Sequence, residues 1–125
     1  MIDILELEKQ PLSTLRQTAM DLDIPRSARM KREQLVMRVV QAEAEKEGRE
    51  IRGGILETMS EGIGFLRLEN YKPSPQDVYV SQSQVRRYSL RNGDMVVGHV
   101  RPPRETERHY GLLKVESING LDPER

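Results

Sequence analysis

None of the nine glycines of this chain lies before Gly48. Glycine weakens helices and serves the turns that short strands need, so the first 48 residues and the rest make different backbone demands. Before Gly48 the apolar spacing is helical. Leu12, Leu15, Ala19 and Leu22 share one face of a segment running from Leu12 to Asp23, and Leu35, Val36, Val39 and Val40 share one face of another. Ile2, Ile4, Leu5 and Leu7 predict a short leading helix ahead of Pro11, and Pro25 separates the next two. None of these helices is long enough to be stable alone, so they must pack on one another.

"QAEAEKEGRE" continues the last helix to Gly48 and then reads as a polar connection, which sets a boundary near residues 46–52. Beyond it the apolar period falls to two. Strands are expected at Ile55–Met59, Ile63–Leu68, Val78–Val80, Met95–Arg101 and Leu112–Ile118, divided by "SEG", "KPSPQD", "RNGD" and "RPPRETERH". "SQSQVRRYSL" is too polar for a core strand and suits a turn or more of helix. The chain therefore reads as α+β, with a three-helix subdomain at 1–48 followed by a small five-stranded barrel at 49–125.

Charged residues make up 32% of the 125 and cancel to zero, so an anionic partner must be held locally. Residues 1–48 carry 8 basic and 9 acidic side chains, and 49–125 carry 12 and 11. The run Arg26, Arg29, Lys31, Arg32 therefore reads as a solvated loop and helix start, with at most an auxiliary part in guiding nucleic acid. There is no cysteine, no apolar run long enough for a membrane span and no signal-peptide pattern at the start. A cytoplasmic location is expected.

Catalysis has little to work with. His99 and His109 are the only histidines, neither sits in a zinc or nucleophile motif, and no "GxxxxGK[ST]" phosphate loop is present. His99 is opposite in parity to Val96 and Val100 and is expected on the surface. No cofactor and no metal are expected in this chain.

The second strand carries the informative pattern. Alternation puts Ile63, Phe65 and Arg67 on one side, and Gly64, Leu66 and Leu68 on the other. Burying Arg67 is costly, so its side is assigned outward, and the same parity in "QDVYVS" turns Asp77 and Tyr79 away from Val78 and Val80. If the two strands pair, one exposed surface carries Phe65, Arg67, Asp77 and Tyr79. Two rings beside a donor and an acceptor suit single-stranded nucleic acid, with Gly62 and Gly64 clearing space for a base. A plain cross-strand pair of Arg67 with Asp77, next to half-buried rings, is the structural alternative.

"GILETMSEGIGFLRLEN", "QDVYVSQSQVRRYSLRNGD" and "GHVRPPRETERHYGLLKVESIN" resemble the N-terminal RNA-binding region of the bacterial transcription termination factor Rho family, and "LSTLRQTAMDLDI" with "RMKREQLVMRVV" resembles its helical N-terminal subdomain. The resemblance implies a barrel of OB-fold or cold-shock type that binds cytosine-rich single-stranded RNA. Phe65 and Tyr79 would stack on bases, Arg67 and Asp77 would bond a cytosine edge, and Glu107 would help define the neighbouring base. Arg86, Arg87, Arg101, Arg104 and Arg108 are candidates for phosphate contact. Ile63, Met59 and His109 depart from the family's usual aromatic, Leu and Tyr; Ile63 and Met59 would supply apolar contact only, while His109 could stack or meet phosphate, and Tyr110 beside it could exchange roles with it. The resemblance also implies that the RNA-dependent ATPase and helicase motor, with its ATP and Mg2+, lies beyond Arg125. RNA polymerase and a homohexameric ring would then be partners of the full-length protein, and this chain alone would be a monomer. A cold-shock-like binder or interaction domain without base selectivity is the other reading.

Overall fold

The helical period of the first segment becomes three α-helices in the computed structural model, which describes residues 3–68 and 72–124. Helix α1 spans Ile4–Glu8, α2 spans Leu12–Asp21 and α3 spans Arg32–Lys46, with a single 3-10 turn at Ser27–Arg29. Ile2, expected in the leading helix, lies outside the described residues. Helices α1 and α2 both pack on α3, burying Ile4, Leu7, Leu15, Ala19, Leu35, Val36, Val39 and Val40.

The ends of these helices follow from local chemistry. The Asp3 carboxylate accepts from the Leu5 N–H at 2.9 Å and caps α1. Helix α3 stops at Gly48, whose φ of +74° is left-handed; the Gly48 N–H donates to Glu45 O at 3.0 Å and the Arg49 N–H to Ala44 O at 2.9 Å. That pair of bonds is a Schellman motif, which satisfies carbonyls the helix would otherwise leave open. In the basic run, Arg32 donates to Gln10 O at 2.8 Å, a structural tie rather than a free phosphate contact.

By internal contacts the chain divides into two compact units, Met1–Glu50 and Ile51–Arg125. The second is a closed barrel of β1 (Glu50–Thr58), β2 (Gly64–Arg67), β3 (Val78–Val80), β4 (Met95–Arg101) and β5 (Tyr110–Ile118), in the spatial order β1-β2-β3-β5-β4. The pairs β1–β2, β2–β3 and β4–β5 are antiparallel, and β3 and β5 run parallel with Val78 opposite Tyr110. Leu56 exchanges hydrogen bonds of 2.8 Å with Asp94 O and the Gly93 N–H, tying β1 to the chain entering β4. Leu56, Leu66, Val78, Val80, Leu90, Val96, Val100, Leu112 and Val115 fill the interior.

Helix α4, Gln82–Arg87, occupies the polar stretch between β3 and β4. Ser81 and Gln84 form a reciprocal capping box, and the Gln84 amide also donates to Leu112 O at 2.9 Å, which pins the helix to β5.

Several strand expectations are corrected. β1 begins at Glu50, not Ile55, so the expected connection at 46–52 is partly strand. Gly54 permits this, because a Cβ there would stand 2.7 Å from Arg67 O and prevent the approach of β2. β5 starts at Tyr110, and Leu68, expected inside, is exposed beyond the end of β2. In β4 register shifts at Val97/Gly98 and His99/Val100 break the simple alternation, and His99, expected on the surface, is buried with its Nε2 2.7 Å from Glu116 Oε1.

Candidate nucleic-acid interface

Strands β2 and β3 pair with Phe65 directly opposite Tyr79, flanked by Leu66–Val78 and Gly64–Val80. Because Leu66, Val78 and Val80 point into the barrel, the two rings stand together on the outer side. Their centroids are 5.9 Å apart with planes at 69°, an edge-to-face contact. His109, in the loop before β5, lies 4.9 Å from the other flank of Phe65 at 59°. Phe65 is the half-buried centre of this trio, and Tyr79 is 38% exposed.

Arg67 follows Phe65 by two residues and lies on the same side, with its Cζ 5.0 Å from the Phe65 centroid. The expectation that Arg67 and Asp77 are exposed is wrong: Arg67 is 6% exposed and Asp77 not at all. The penalty that made burial look unfavourable is met by partners, since Arg67 Nη1 donates to Asp77 Oδ2 at 2.5 Å and Nε donates to Glu57 Oε1 at 2.7 Å. Burial works against the guanidinium's charge, but the bonds to Asp77 and Glu57 outweigh it and lift its pKa above the ordinary arginine value. Asp77 Oδ2 also accepts from the Ser74 N–H at 2.9 Å. Its other oxygen, Oδ1, is buried and finds no hydrogen-bond partner among the described residues.

Glu107 sits in the β4–β5 loop, clamped by both ends of one guanidinium: Arg101 Nη1 to Oε1 at 2.7 Å and Nη2 to Oε2 at 2.9 Å. The Arg104 N–H adds a third bond at 2.9 Å. These contacts, the Arg101 fork foremost, lower the Glu107 pKa to about 2.

The other expected site residues fall in different places. Met59 and Ile63 close the β1–β2 hairpin, where the Met59 N–H donates to Ile63 O at 2.8 Å. Tyr110, beside His109, packs against the barrel core, with Arg52 Cζ 3.6 Å from its centroid. Arg87 lies on the Tyr88 ring and 3.8 Å from Glu124, while the Arg104 backbone serves Glu107. The glycines are also reassigned. Gly62 takes a turn with φ +87°, and a Cβ on Gly64 would stand 2.6 Å from Leu56 Cδ1, so Gly64 makes room for the core rather than for a base.

Sequence reasoning missed Glu57 and Arg52, and it read Arg101 as a phosphate contact where the structure ties it to Glu107. Glu57 gave a signal: it is a lone acid in the otherwise uncharged "ILETM", and it lies opposite Phe65 once β1 and β2 pair. Rings on the outer face can stack on unpaired bases, and the guanidinium behind them can donate to a base edge, while the Asp77 carboxylate lies sealed beneath it with Oδ1 unpartnered among the described residues. Among the described residues no group of three His, Cys, Asp or Glu could hold a metal ion.

Comparison with known proteins gives the family. The family model described as Rho termination factor, RNA-binding domain, matches residues 52–124, and the one described as Rho termination factor, N-terminal domain, matches 6–48. Transcription termination factor Rho of Bacillus subtilis (strain 168) is 47% identical over 124 residues, which are 98% of this chain and 29% of that protein. The Rho proteins of Pseudomonas fluorescens biotype C and Escherichia coli (strain K12) are 42% and 39% identical over 126 residues, 98% of this chain and 30% of each. The chain thus spans under a third of the length of these relatives. With both family models matched in succession, the chain belongs to the Rho termination factor family, in its N-terminal and RNA-binding domains.

Proposed function

We propose that this chain binds cytosine-rich single-stranded RNA, as the primary RNA-capture site of a Rho-type transcription termination factor. The observation that carries the proposal is the outward pair of rings, Phe65 and Tyr79, backed by Arg67 and by Asp77, whose buried Oδ1 has no partner among the described residues and is uncovered when a base displaces the side chains above it. A cytosine presents an amino donor for the carboxylate and ring acceptors for the guanidinium, whereas uracil would bring a carbonyl against the carboxylate. Tyr79 and Phe65 supply the stacking surface, and Glu107, oriented by Arg101, borders the next base position.

In this reading the chain captures RNA and has no turnover of its own. The RNA-dependent ATPase and helicase, with ATP and Mg2+, the homohexameric ring and the encounter with RNA polymerase belong to the full-length cytoplasmic protein, and this chain by itself is a monomer. No helix among the described residues is long and apolar enough to cross a membrane.

A second reading has one observation in its favour. Arg67 and Asp77 already satisfy one another under the surface, as a purely structural pair would, leaving the rings to stack on any base. Titrating oligo-C, oligo-U and oligo-A RNA and oligo-dC against the chain and its Phe65→Ala variant separates the two. Tight binding of oligo-C over oligo-U, weakened in the variant, is the expected result. Equal binding of all four oligomers leaves only non-selective stacking, and an unaffected Phe65→Ala removes this face from RNA binding altogether.

A further inference from the structure

We infer that Glu57 is a positioning residue that sets base selectivity by fixing the plane of the Arg67 guanidinium. The inference rests on the base-reading role proposed above. Asp77 holds Arg67 at a single nitrogen, Nη1, and one hydrogen bond fixes the tilt of a planar guanidinium less firmly than two. The bond from Nε to Glu57 Oε1, on the opposite edge, is the second point that defines the plane. Together they leave the Nη2 group uncommitted among the described residues, on a guanidinium whose Cζ is 5.0 Å from the Phe65 centroid.

The environment of Glu57 is unlike that of Asp77. Asp77 is sealed in, while the Glu57 side chain is 49% exposed on the neighbouring strand, opposite Phe65. An exposed carboxylate on a face that receives a polyanion repels it. Electrostatics alone therefore predict that removing Glu57 tightens binding of every RNA equally. Positioning predicts the opposite for the preferred base: the fork loses its alignment with the pyrimidine edge, so cytosine loses its advantage over uracil while stacking persists. The two roles differ in sign, and the difference is measurable.

The test is fluorescence anisotropy of the 125-residue chain with labelled oligo-C and oligo-U RNA at one salt concentration. Glu57→Ala should lower the ratio of oligo-C to oligo-U affinity roughly tenfold, the scale of one misaligned base-edge contact. Glu57→Gln, whose amide oxygen still accepts from Nε, should stay within about threefold of the unaltered ratio. An unchanged ratio in Glu57→Ala overturns the inference, most plainly if both oligomers bind more tightly. Should Glu57→Ala fail to fold, Glu57→Thr replaces it, since threonine suits a strand but is too short to reach Nε, and the same ratios decide. If Phe65→Ala binds both oligomers as the unaltered chain does, the base-reading role itself falls. If Phe65→Ala weakens binding while Glu57→Ala keeps the ratio, only the positioning role falls.

Discussion

Arg67 and Asp77 are joined beneath the surface, Nη1 to Oδ2, with the arginine almost fully and the aspartate wholly buried. A charge pair in that position stabilises only as a pair. Asp77→Ala leaves an arginine buried with Glu57 alone and should destabilise the barrel by about 3 kcal/mol, read as a lower urea midpoint. The double variant Arg67→Met, Asp77→Leu should be more stable than Asp77→Ala, because no unpaired charge remains.

Tyr79 separates binding from folding. Its ring is substantially exposed and opposite Phe65, so Tyr79→Ala should weaken oligo-C RNA binding by about 1–3 kcal/mol, the usual value of one base–aromatic stack. The melting temperature should move little, because the residue belongs to the outer face and not to the core.

The glycine of β2 makes the reverse case. A side chain at Gly64 meets Leu56 Cδ1 at 2.6 Å and Glu57 O at 3.2 Å. Gly64→Val should therefore cost about 1–3 kcal/mol of stability by overpacking. Oligo-C affinity measured well below the lowered melting temperature should fall much less than in Tyr79→Ala.

Glu107 has a folded-state pKa of about 2 against an ordinary 4.5. A depressed carboxylate pKa contributes stability that is complete above the unfolded value and disappears as pH falls through the folded one. The β4–β5 loop should thus loosen between about pH 4.5 and pH 2, seen as falling protection of the Arg104 and Glu107 amides relative to their intrinsic exchange rates at each pH. Glu107→Gln should remove the pH dependence in that window.

Much of this architecture was legible in the residues. The change of apolar period at Gly48, from helical to alternating, was enough for a helical subdomain followed by a five-stranded barrel. Parity also located the outward side of β2 and β3, because Leu66, Val78 and Val80 have no reason to face water. The depth of Arg67 and Asp77 was not legible, since burial of a charge depends on partners, and Glu57 comes from a strand whose register only the fold fixes. Gly64 misled for a related reason: a missing Cβ looks the same whether the space is taken by a ligand or by a leucine. His99 was misplaced because two register shifts in β4 interrupt the alternation on which the expectation relied.

The shortest strand carries a consequence for how this fold can vary. Between Asp77 and Ser81, successive residues hold the buried carboxylate, a core valine, the outward ring, a second core valine and the cap of α4. Inserting or deleting one residue there would swap inside for outside, sending Tyr79 into the barrel and a valine out, while uncoupling β2 from β5. The segment therefore does not tolerate a change of length, and any variation in loop size must be taken up at either end of it.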